Sequence, residues 1–152
     1  MQPPREPITG DSHKHLLAPL EEFAASLGYS VRRAPLKDTT GGWCDNSHME
    51  IVVNERVPAN AQVRVLVHEI AHALGIGYAD RGRARAEVMV DCVTYIVCSQ
   101  VGLDTGGESI PYVAGWGAGG ELDAIQQDAQ TIDEVARQIE SVLIPEGQAL
   151  AA

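Results

Sequence analysis

The stretch Val63-Arg-Val-Leu-Val-His-Glu-Ile-Ala-His-Ala-Leu74 decides the reading of this chain, because it places two imidazoles and a carboxylate on one turn of a helix. Side chains four residues apart on a helix stand one above the other, so His68 and His72 can reach a single point. Glu69, rotated by about 100° from His68, stands beside that point. Val63, Leu66, Val67, Ile70, Ala71 and Leu74 recur at helical spacing, as a stripe expected on the side opposite the histidines. One face should therefore pack while the other presents ligands. Histidines at i and i+4 with an intervening glutamate form the pattern with which zinc hydrolases hold their metal and activate water. The bland reading is chance spacing, each imidazole being hydrogen-bonded in a core.

A third ligand has to come from beyond Gly75-Ile76-Gly77, where the first helix is expected to end. Residues Ala84 to Val101 read as a buried helix, apolar on most sides. Its polar exceptions, Glu87, Asp91 and Thr94, lie at i, i+4 and i+7 as one stripe. Buried carboxylates are costly unless a cation lies opposite, and zinc with two histidines would supply one. Glu87 is assigned as the third ligand. Asp91 is assigned as the acceptor that fixes the outer nitrogen of one histidine. Spacing alone leaves the swapped assignment open, with Asp91 on the metal, and Glu87 could instead pair with Arg83 at the surface.

Further segments extend the pattern: Glu22-Phe-Ala-Ala-Ser-Leu-Gly-Tyr29, Ile51-Val-Val-Asn54, Asp91-Cys-Val-Thr-Tyr-Ile-Val-Cys98, Gly102-Leu-Asp-Thr105 and Pro111-Tyr-Val-Ala-Gly-Trp116. With the central motif, they resemble the ImmA/IrrE-type metallopeptidases, especially the catalytic part of ArdC-like antirestriction proteins, from about Leu16 to Leu143. The resemblance implies an α+β fold: a single compact zincin-like, thermolysin-like domain whose active helix lies beside a small sheet. It further implies one Zn2+ at positions matching His68, His72 and Glu87, with Glu69 as catalytic base. Larger relatives also carry an N-terminal domain that binds single-stranded DNA, for which this chain has no room. It departs from the pattern in having Met89 within the third-ligand region and Asp91 where glutamate is common.

With 152 residues and 45% hydrophobic content, the chain fits one folded domain. A net charge of −10 argues against gripping nucleic-acid phosphates, because the only basic cluster is Arg81, Arg83 and Arg85. An acidic surface could imitate DNA, but the charges are scattered rather than gathered in a run. The N-terminus has neither a signal core nor a membrane-length apolar stretch, so a cytoplasmic location without membrane contact is expected. Cys92 and Cys98 are six apart on a helix and Cys44 lies in a loop, which suggests three reduced thiols.

The expected organisation is a flexible Pro-rich tail over 1–14, the catalytic domain over 15–144 and a flexible tail over 145–152. A first helix runs from about Pro19 to Leu27, with Gly28 as its cap. Strands are expected at Tyr29 to Arg33 and at Met49 to Asn54, with Gly41-Gly42 as a break between them. The Ile51-Val52-Val53 strand, or its neighbour, is expected to bind an extended peptide along the cleft. Tyr112 and Trp116 either anchor the last helix or line a substrate pocket. Leu122, Ile125, Ala129, Ile132, Ala136, Ile139 and Leu143 predict a long amphipathic helix packed on its own domain, with a seam between chains as the alternative.

These readings converge on a zinc metalloendopeptidase acting on a protein or peptide substrate, with Tyr95 or His48 as candidate stabilisers of the oxyanion. The alternative is a zinc-stabilised, non-proteolytic binding protein acting as an antirestriction or antirepressor factor. Oligomeric state is left open.

Overall fold

The computed structural model describes residues 8–37, 41–77, 82–103 and 122–144, with the side chains of 122–127 outside the described set. Tyr112 and Trp116 therefore lie outside the described residues, as do residues 1–7 and 145–152.

The architecture is α+β, and its sheet follows from one short run of β-branched residues. Ile51, Val52 and Val53 are at most 1% exposed, as befits a strand covered on both faces. They belong to β3 (Glu50–Asn54), which is flanked by β1 (Ser30–Ala34) and β2 (Gly42–Asp45). The order is β1-β3-β2, with β1 parallel to β3 and β2 antiparallel to it. The two expected strands are present, β1 displaced by one residue and β3 starting one residue later than expected. The third strand is new, and it begins at the glycine that had been read as a break. A Cβ at Gly42 would run into the carbonyl oxygen of Val52 and come within 2.8 Å of Val65 Cγ1, so this glycine permits close approach of backbones. Asp45 Oδ1 then accepts the N–H groups of Ser47 and His48 at 3.0 and 3.1 Å, turning the chain from β2 into β3.

Four α-helices are present among the described residues: α1 (Leu17–Ser26) and α2 (Ala59–Ala73) pack on the sheet, and α3 (Arg83–Gln100) and α4 (Leu122–Leu143) pack on those helices and on each other. Gly28, at φ 90°, ends α1 as expected: its own N–H bonds Ala25 O and the N–H of Tyr29 bonds Ala24 O, both at 2.9 Å. Gly102, at φ 79°, ends α3 in the same manner, with Leu103 N–H reaching Cys98 O at 2.8 Å.

Helix α2 is enclosed beyond its apolar stripe. Val65, Glu69 and His72 are buried together with Val63, Leu66, Val67, Ile70 and Ala71. The cause is central placement: α1, α3, β2 and β3 all pack on α2, so its ligand-bearing face is roofed by other elements. Helix α4 packs on α3 and α1 of its own chain through Ile132, Val135, Ala136, Ile139 and Leu143. Ala129, assigned to that stripe by spacing, is exposed. The bond from Arg85 Nε to Asp128 Oδ2, at 2.8 Å, ties α3 to α4.

Residues 8–14, expected within a flexible tail, are fastened to the start of α2. Ile8 is buried, and the Asn60 side chain accepts the N–H of His13 at 2.8 Å and donates to Thr9 O at 3.0 Å and Ser12 Oγ at 3.2 Å. All three cysteines are free. Among the described residues, no helix is long and apolar enough to cross a membrane.

Candidate metal centre

Helix α2 supplies His68, Glu69 and His72, and α3 crosses it so that Glu87 meets both histidines. His68 Nε2 lies 3.3 Å from Glu87 Oε2, and His72 Nε2 lies 3.4 Å from Glu87 Oε1. The two rings stand nearly perpendicular, at 78°, with centroids 5.2 Å apart. His72 Nδ1 is 2.7 Å from the carbonyl oxygen of Ile76, which can only accept, so Nδ1 carries the proton and Nε2 is left as the ligating atom. Ile76 is held for this by the turn at Gly75, whose φ is 115°.

The donor set fits a divalent cation. Ligand atoms of His68, His72 and Glu87 all lie within 4.8 Å of one another. Two donors bound at about 2.1 Å to one tetrahedral ion stand about 3.4 Å apart, close to the separations found between Glu87 and each imidazole. Two imidazoles and a carboxylate suit zinc and other first-row divalent ions.

Asp91, one turn beyond Glu87 on α3, is 3% exposed, and its Oδ1 lies 3.4 Å from His68 Nε2 and 3.4 Å from an Arg64 guanidinium nitrogen. Asp91 thus faces the same nitrogen of His68 that Glu87 faces. The Nδ1 atom of His68 lies 3.1 Å from Glu69 Oε2. Burial acts to lower the His68 pKa, but hydrogen bonds to Asp91, Glu69 and Glu87 outweigh it and hold the imidazole well above the usual histidine range. Without metal, the carboxylates thus hold a proton on His68.

His68, Glu69, His72 and Glu87 form the floor of a cleft of about 410 Å³ whose walls include Gly42, Trp43, Cys44, Asn46, Gly77 and Arg83. Trp43 is 42% exposed, which leaves an aromatic surface on the wall. Burial and the charges of Glu69 and Asp45 push the Cys44 thiol up to about 12, so it stands protonated beside the floor. Neither residue considered for the oxyanion lines this cleft: His48 is exposed and bonded to Asp45 at 2.8 Å, and Tyr95 is 36% exposed on α3. Arg83 and Asn46 do line it. Arg64 escaped the sequence reading, although a cation one turn ahead of His68 within an apolar run was a visible signal.

No family model matches the chain. An uncharacterized protein of Bacillus anthracis is 32% identical over 84 residues, covering 51% of this chain and 14% of that protein. A crystal structure of the antirestriction protein ArdC from plasmid R388, in a Mn(II)-bound form, is similar at 21% identity and a TM-score of 0.46, covering 88% of this chain and 53% of that one. The chain thus spans a small part of the curated relative and about half of the solved protein.

Proposed function

We propose that this chain is a metal-dependent hydrolase of peptide bonds, with His68, His72 and Glu87 holding a zinc-class divalent cation and Glu69 acting as general base. The observation that carries the proposal is the convergence of three ligand atoms within 4.8 Å on the floor of a cleft that Glu69 also lines. A helix bearing two ligands, packed against a small sheet and crossed by a second helix with the third ligand, is also the arrangement that a zincin-like, ImmA/IrrE-type reading requires. When bound, a zinc ion supplies Lewis acidity that polarises a carbonyl and acidifies water. Glu69 Oε2 is held by His68 Nδ1, and the other carboxylate oxygen is the acceptor for a proton from water.

The substrate on this reading is an extended peptide. Of the three strands, β3 is internal, while β2 pairs with β3 along one side and lines the cleft through Gly42, Trp43 and Cys44. A peptide added along β2 would gain main-chain hydrogen bonds and side-chain contact with Trp43. Arg83 and Asn46 are then the groups that offer donors to a developing oxyanion.

A second reading is favoured by one contact. The bond between Glu69 and His68 Nδ1 is what a carboxylate makes when it only orients a metal-binding imidazole. On this reading the domain is a metal-stabilised, non-proteolytic binding protein with an antirestriction or antirepressor role, the setting that the sequence resemblance implies. Glu69→Gln separates the two. Cleavage of a peptide library should fall by about two to four orders of magnitude with metal content unchanged if Glu69 is the base. Unchanged biological effect in that variant would favour binding without cleavage.

A further inference from the structure

We propose that Arg64 is a positioning residue that selects the third metal ligand, by holding Asp91 against α2 so that the ligand position falls to Glu87. The proposal rests on the metal-site reading above and concerns a side chain to which that reading gives no role.

The contacts between α2 and α3 form a ladder. Glu87 meets His72 and His68, Asp91 meets His68, and Asp91 then meets Arg64. Residue numbers fall along α2 as they rise along α3, so each carboxylate faces a different pair of partners. Glu87 offers one oxygen to each imidazole, at 3.4 and 3.3 Å. Asp91 instead offers a single oxygen, Oδ1, to both His68 and Arg64, each at 3.4 Å. Asp91 is buried, with a side-chain exposure of 4%, and Arg64 is partly buried at 14%, whereas Glu87 is 28% exposed at the cleft. A fixed guanidinium in so sheltered a position competes directly with any cation for Asp91. By spacing alone two carboxylates one turn apart are equivalent candidates; the reach of Glu87 to both imidazoles and the hold of Arg64 on Asp91 together remove the equivalence.

The experiment measures Zn2+ affinity by competition with a chromophoric chelator, for wild type, Glu87→Ala, Arg64→Met, the Arg64→Met/Glu87→Ala double variant and the triple variant that adds Asp91→Asn. Glu87→Ala should weaken binding by about 100-fold in the wild-type background and by about tenfold or less beside Arg64→Met, because Asp91 is then released to the ion. Asp91→Asn should abolish the recovery, and Arg64→Lys, which keeps the charge, should behave as wild type toward Glu87→Ala. Arg64→Gln, which satisfies Asp91 without a charge, replaces the methionine variant if that chain does not fold. An equal loss on Glu87→Ala in every Arg64 background overturns the proposal while leaving the metal site standing. A wild-type protein that binds no Zn2+ overturns both.

Discussion

Replacing Gly42 with alanine drives a methyl group into two neighbours at once. The new Cβ meets the carbonyl oxygen of Val52, which cannot move without disturbing β3, and lies 2.8 Å from Val65 Cγ1 on α2. Overpacking of this kind costs about 1–3 kcal/mol, and the backbone contact places this case in the upper half of that range. For a chain of this size each kcal/mol moves the melting temperature by roughly 2–4 °C, so a fall of roughly 4–12 °C is expected. Thermal unfolding and urea titration, read together, measure it. Gly77→Ala is the control: Gly77 lines the same cleft, has nothing within 4 Å of a new Cβ and is not among the positive-φ residues, so its melting temperature should hold. Adding Val65→Ala to Gly42→Ala should leave the melting temperature low, because the carbonyl contact persists. A Gly42→Ala protein as stable as wild type, or an equal fall in Gly77→Ala, would refute the idea that β2 is pinned to α2 by backbone contact.

Asn60→Ala removes the three side-chain hydrogen bonds to Thr9, Ser12 and His13, at about 1 kcal/mol each. Limited proteolysis should then cut within the first sixteen residues, whereas an unchanged digest would show that the clasp contributes nothing. With its thiol at about 12, Cys44 should alkylate slowly at pH 8 and about tenfold faster per pH unit, and Glu69→Gln should accelerate it by removing a nearby charge. Peptide mapping that finds ordinary cysteine reactivity at pH 8 would contradict this. In the metal-free protein the folded pKa of His68 lies above its unfolded value of about 6.5. Its contribution to stability is therefore complete below pH 6.5 and lost as pH rises through the folded pKa. Denaturant midpoints of the chelator-treated protein should decline over that window in wild type and not in His68→Gln.

Much of the helical framework could be read from residue spacing. Gly28 stands just past a helix end, where left-handed backbone is needed, and the apolar rhythm of residues 132–143 matches what α4 buries. His68 and His72 were legible for the same reason, since helical geometry fixes their relative positions before any tertiary contact forms, whereas Glu87 was marked by its polarity within an apolar helix and meets them only where α3 crosses α2. Features made by tertiary contact were not. Strand β2 has four residues and owes its place to the fit of Gly42 against Val52 and Val65, partners a local pattern does not name. The enclosure of the ligand face comes from elements distant in sequence. Residues 8–14 carry no periodic signal, and the buried side chain of Asn60, the contact of His13 with Val101 O and the burial of Ile8 hold them in place. Asp91 was marked by its polarity within an apolar helix, but its sharing between His68 and Arg64 depends on how α3 crosses α2.

The most direct measurement is elemental analysis of the purified protein, with wild type beside His72→Ala and Glu87→Ala. About one divalent ion per folded wild-type chain, lost in both folded variants, is the predicted result. A wild type that carries no ion although metal was supplied, or variants that keep it in full, would contradict the three-ligand site.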